Sequence, residues 1–234
     1  IPAESPEDLG DALAELGRAI LAAQPAMAPL VRLVADVLEA AREAETVEAG
    51  RAGAEAAARA FREGQESRTR AVARRAAALI PDGARVLTLS SSSTVRSTFL
   101  RRARAHALAV VCLEARPARE GGVLAEELAE AGIEVTLAVD AAAASLAPSC
   151  DLVLMGADSI GDAGVVNKIG SMAVADAARR AGIPLYVVAD ETKILPPGFP
   201  QPVDDDRPAE EVARAPAGVR VWNRYFERVP LAET

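Results

Sequence analysis

Gly156-Ala157-Asp158-Ser159-Ile160-Gly161-Asp162-Ala163-Gly164-Val165-Val166-Asn167-Lys168-Ile169-Gly170 is the stretch on which both the fold and the chemistry of this chain turn. It follows Leu152-Val153-Leu154-Met155, a short apolar run that reads as a buried strand. A single carboxylate, Asp158, therefore stands where a strand ends. A Gly-rich turn then brings an amide, Asn167, and an ammonium, Lys168, back beside it. In open parallel sheets ligands bind outside the carboxyl ends of the strands, so position as well as chemistry marks a site. An ordinary surface turn would account for the glycines, but not for a carboxylate abutting a core strand.

Other short β-branched runs share that character. Strands are expected at 85–89, 109–113, 134–139, 152–155 and 185–189, with 219–222 as a sixth. Helical patterns at 94–105, 124–131 and 173–181 separate several of them. Continuous apolar strands alternating with helices predict a parallel sheet covered on both faces. Upstream, Leu9, Leu13, Leu16, Ile20 and Leu21 recur at helical spacing, as do Leu30, Val31, Val34 and Leu38. Pro25 and Pro29 mark the turn between these two helices, and Pro81-Asp82-Gly83 ends a third, Ala-rich one. The expectation is an α/β protein: an all-helical N-terminal domain, 1–80, followed by a Rossmann-like domain, 81–234, with helices on both faces of its sheet.

Half the residues are hydrophobic but only 3% are aromatic, so helices must pack through small side chains. A net charge of −8 argues against a general nucleic-acid binder while leaving room for a local cationic pocket. No apolar run approaches a membrane span, and the acidic N-terminus is unlike a signal peptide. Cys112 and Cys150 lie in or beside apolar runs, with no histidine or second cysteine at ligand spacing, and read as buried thiols. These features point to a cytoplasmic protein with neither membrane nor nucleic-acid partners. No metal is expected: adjacent carboxylates in Asp204-Asp205-Asp206 point in different directions, and the stretch reads as a solvated loop. His106, the single histidine, reads as a helix-end packing residue.

Three more strand ends contribute polar groups. The first runs into Ser90-Ser91-Ser92-Ser93-Thr94 at a helix start, where backbone N–H groups and hydroxyls would cradle an anion. One serine suffices for an N-cap, so the tract favours phosphate binding at Ser92, Ser93 and Thr94. Lys193 follows the fifth strand, and Arg116 the second; Arg116 serves equally well as a site residue or as a structural partner of a carboxylate. Neither a dinucleotide fingerprint nor a Walker loop is present, so no cofactor is expected.

With these residues in place, the chain resembles the family of translation initiation factor 2B alpha, beta and delta subunits. That family includes ribose-1,5-bisphosphate isomerase and methylthioribose-1-phosphate isomerase. The matching motifs are Glu114-x-Arg116-Pro117, Asp140-Ala141-Ala142, Gly156-Ala157-Asp158, Asn167-Lys168-Ile169-Gly170, Lys193 and Asn223-x-Tyr225-Phe226 with Pro230. The resemblance implies that Asp158 is one half of an acid–base pair. It also implies that Asn167, Lys168 and Lys193 bind a sugar phosphate, that Ser92 to Thr94 hold a phosphate, and that the chain forms at least a homodimer. Three departures stand out: Ser90 replaces the isomerases' catalytic cysteine, Gln24 replaces an arginine, and Glu120 replaces a glutamine that faces phosphate. A serine hydroxyl titrates far above a thiol and does not replace it as a base without activation. The leading expectation is therefore a sugar-phosphate or nucleotide pocket that is non-catalytic or altered, with Asp158 and Ser90 at the catalytic positions. The alternative is an aldose–ketose isomerase for a phosphorylated pentose.

Overall fold

The computed structural model describes residues 2–203 and 206–230. Three helices come first: α1 (Pro6–Ala23), α2 (Ala28–Arg42) and α3 (Val47–Ala77). α1 starts where the Ser5 hydroxyl accepts from the Asp8 N–H and the Asp8 carboxylate accepts from the Ser5 N–H, a reciprocal cap worth about 1 kcal/mol. It stops at Gln24, ahead of Pro25. α3 is capped by the Thr46 hydroxyl on the Ala49 N–H.

Five strands then form one parallel sheet: β1 (Ala84–Leu89), β2 (Leu108–Leu113), β3 (Glu134–Ala138), β4 (Leu152–Met155) and β7 (Leu185–Val187), in the order β3-β2-β1-β4-β7. Helices α4 (Ser93–Ala103) and α5 (Glu120–Glu130) cover one face, joined by the end of α3. The one-turn α6 (Ala143–Leu146) and α7 (Ser171–Ala181) cover the other. Alternation along β1 feeds both layers: Ala84 and Val86 join Phe99, Leu124 and Leu128, while Leu87 and Leu89 join Val174 and Ala178. The predicted Rossmann-like fold and its helical N-terminal region are both present.

Strand order reverses between β1 and β4, because β1 connects outward to β2 and β4 outward to β7. Carboxyl ends that diverge this way leave a crevice between them.

Two differences from the expected strands have clear causes. Residues 219–222 form no strand: Trp222 is 63% exposed and follows the turn at Gly218. The last strand is instead β8 (Phe226–Val229), which pairs antiparallel with β6 (Gly164–Lys168), itself hairpinned to β5 (Ser159–Gly161). This three-stranded sheet escapes a periodicity reading because β6 buries Asn167 and Lys168 along with its valines. Cys112 and Cys150 are free and buried, and burial pushes the Cys112 thiol up to about 12. Of the acidic run, Asp204 and Asp205 lie outside the described residues. Among the described residues no helix is long and apolar enough to cross a membrane, and no cluster of metal-ligating side chains occurs.

Gly121, in the first turn of α5, packs against the end of β2: a Cβ there would lie 1.9 Å from the Leu113 carbonyl oxygen. Two backbone segments would have to separate to admit it. Gly121→Ala is accordingly expected to destabilise the protein by about 2–3 kcal/mol in urea titration.

Candidate active site

A cavity of about 360 Å³ opens at the crevice between β1 and β4. Its lining includes Ser90, Ser92, Ser93, Thr94, Asp158, Asn167, Lys168 and Lys193. Eight of the nine residues expected from the sequence thus meet around one space. Arg116 does not: its guanidinium donates to the Val212 carbonyl at 2.9 Å, 96 residues along the chain, and it serves as a loop tie.

The local chain path explains the convergence. After β4, the Asp158 N–H donates to the Val166 carbonyl at 2.9 Å, which opens the β5–β6 hairpin. The chain reverses through Gly161 to Gly164, and β6 then carries Asn167 and Lys168 back past Asp158. Asn167 is buried and oriented by its amide's bond to the Ser171 hydroxyl at 2.9 Å, which in turn donates to the Lys168 carbonyl. Lys168 is buried between Tyr225 and Phe226, its Nζ 4.8 and 5.0 Å from their ring centroids.

Ser90 ends β1 in the left-handed region, at φ 66°. A non-glycine residue held there is strained, and such strain gathers at functional positions. Its hydroxyl donates to Glu120 Oε2 at 3.0 Å. Ser92 caps α4 by accepting from the Val95 N–H, which sets the helix's N-terminus at the cavity wall.

Carboxylates at neighbouring strand ends and loops are committed to the backbone. Asp140 accepts from the N–H groups of Ala115 and Arg116, both at 2.7 Å, Asp190 from Thr192, and Glu227 from Gly170 and Met172. Asp158 differs: among the described residues its carboxylate accepts no hydrogen bond. Burial raises its pKa above the ordinary carboxylate value, against the pull of Lys193 and Lys168 and with a push from Glu120. A carboxyl whose pKa is raised by burial and that lines a cavity is better suited to act as a general acid than an ordinary one.

Sequence reasoning did not place Met27, Gln65 or Phe226 in the lining. Met27 and Gln65 come from the helical N-terminal region, which carries no motif at either position, and Phe226 lies in a C-terminal segment far from the other lining residues in sequence.

A doubly wound α/β protein with a polar crevice at its switch point is the class that this fold and cavity define. The chain belongs to the Initiation factor 2 subunit family, whose model matches residues 2–232. It is 38% identical over 192 residues to a methylthioribose-1-phosphate isomerase of Gemmatimonas aurantiaca, covering 76% of this chain and 56% of that one. It is 36% identical over 159 residues to a ribose 1,5-bisphosphate isomerase of Archaeoglobus fulgidus, covering 64% and 50%. The chain thus spans about half the length of the curated relatives it matches. A crystal structure of the Pyrococcus horikoshii OT3 translation initiation factor eIF-2B superposes with a TM-score of 0.85 at 30% identity, over 98% of this chain and 80% of that one.

Because the folded state favours the protonated carboxyl, Asp158 contributes stability that is full below its unfolded pKa and lost as pH rises through the folded value. Asp158→Asn is therefore expected to melt above the wild type at pH 7. The gap should close as pH falls below the ordinary carboxylate range, as thermal unfolding across a pH series would show.

Proposed function

We infer that the protein is an aldose–ketose isomerase acting on a phosphorylated pentose. The observation that carries this reading is the uncommitted, proton-favouring Asp158 facing Lys193, Lys168 and the serine tract across one cavity. The isomerases among its relatives favour turnover over the non-catalytic pocket that Ser90 suggests from sequence. Moving a carbonyl from C1 to C2 needs a proton given to the C1 oxygen (the ring oxygen in a 1-phosphate), the C2 hydrogen passed to C1, and the C2 hydroxyl proton taken up by a base. Asp158 in its protonated form, which burial favours, would supply the first and, once ionised, accept the last; the α4 N-terminus and Lys193 would hold the phosphate while Asn167 fixes the sugar.

A second reading, a ligand-sensing pocket without turnover, is favoured by one contact. Ser90 stands where the thiol is expected, yet its hydroxyl is bonded to Glu120 rather than directed at Asp158. The protein would act in the cytoplasm as a homo-oligomer, at least a dimer, an arrangement supported by the exposed apolar edge at Leu137 and Val139.

Methylthioribose 1-phosphate, 5-deoxyribose 1-phosphate, ribose 1-phosphate and ribose 1,5-bisphosphate should be offered in turn and ketose formation followed by NMR. Turnover of at least one is expected, with Asp158→Asn lowering kcat by about 10²–10⁴ while ligand still binds. Binding without product from any of the four would select the sensing pocket instead. Light scattering at micromolar concentration should give at least twice the monomer mass, and a monomer there would remove the oligomer.

A further inference from the structure

The charges around the cavity do not add up to a site for two phosphates. Its charged side chains are Glu120 and Asp158 against Lys168 and Lys193, so the lining carries at most one net positive charge even with a proton on Asp158. Lys168 is already occupied: Glu120 holds its ammonium through Oε1 at 2.9 Å and Oε2 at 2.8 Å, and two aromatic rings flank it. The lysine side chain is 7% exposed and the glutamate 39%, so the carboxylate is the more open member of the pair. A phosphate approaching Lys168 meets that negative charge first. Lys193, in contrast, forms no contact ion pair among the described residues. It shares the cavity with Ser92, Ser93 and Thr94 at the α4 N-terminus, whose dipole is equivalent to about half a positive charge. Lys193 and the α4 N-terminus therefore suit an oxyanion, whereas Glu120, held between Ser90 and Lys168, presents a carboxylate to the same cavity, an acceptor for hydroxyl donors.

We propose that Glu120 is a specificity residue that makes this pocket select a sugar bearing one phosphate, with hydroxyls rather than a second phosphate beside its carboxylate. This rests on the sugar-phosphate reading of the cavity and holds whether or not the ligand is turned over. Each phosphate ester carries roughly 1.5–2 negative charges at neutral pH, so a bisphosphate would bring roughly 3–4 to a pocket whose side chains offer at most one net positive charge. The mismatch falls at Glu120.

Calorimetric titration of the full chain with ribose 1-phosphate, ribose 5-phosphate and ribose 1,5-bisphosphate tests this. The wild type is expected to bind at least one monophosphate about tenfold more tightly than the bisphosphate. Glu120→Gln, nearly isosteric, releases the ammonium and should shift that affinity ratio toward the bisphosphate by about tenfold or more, less at high salt. Adding Lys168→Met to Glu120→Gln should abolish the shift, because the released cation causes it. Circular dichroism and melting verify each variant's fold; should one fail, the wild-type ratio and its salt dependence still decide. Tighter bisphosphate binding by the wild type, or an unchanged ratio in folded Glu120→Gln, overturns the proposal. Binding without ketose formation removes only the isomerase reading, whereas no binding by any of the three sugars removes both.

Discussion

The peptide groups of Asp158 tie together three parts of the molecule. Its N–H donates to Val166 and opens the hairpin; its carbonyl accepts from the Ala28 N–H at 3.1 Å and anchors the start of α2. The residue itself follows directly from β4, the strand at which the sheet reverses. Fixing one backbone segment thus sets the distance between the sheet edge, the returning Asn167 and Lys168, and the helical region that brings Met27 to the cavity. Backbone bonds, unlike long flexible side chains, hold such a junction without further ordering cost.

That dependence explains what could be read from the chain and what could not. The five parallel strands were legible because each is a short run rich in β-branched and other apolar residues, and β4, wholly apolar, fell on its predicted residues. Asp158, Asn167, Lys168 and the serine tract were legible because strand ends and turns sit close to them in sequence. The small antiparallel sheet was not. β5 has three residues, β6 buries a lysine, and Phe226-Glu227-Arg228-Val229 reads as polar until β6 is known to lie beside it. The sequence leaves Arg116 open between a site role and a structural one for a related reason: its partner, the Val212 carbonyl, belongs to a loop with no periodicity to announce it. Glu120 was recognisable as a like charge to phosphate, but its grip on Lys168 spans 48 residues and only the fold reveals it.

The distribution of carboxylates then separates architecture from chemistry. Asp140, Asp151, Asp190 and Glu227 each accept from backbone N–H groups at element ends, bonds that hold loops where the chain leaves the sheet. A charge-assisted bond of that kind contributes about 1.5–3 kcal/mol and favours the ionised form. Asp158 has none of these, and burial works in the opposite direction, toward the neutral acid. A fold selected for stability alone would give such a carboxyl a donor or replace it with an amide. Its place without one, on the wall of a cavity that also holds Ser90 in the left-handed region, is not required by stability and is what the proposed proton transfer would use.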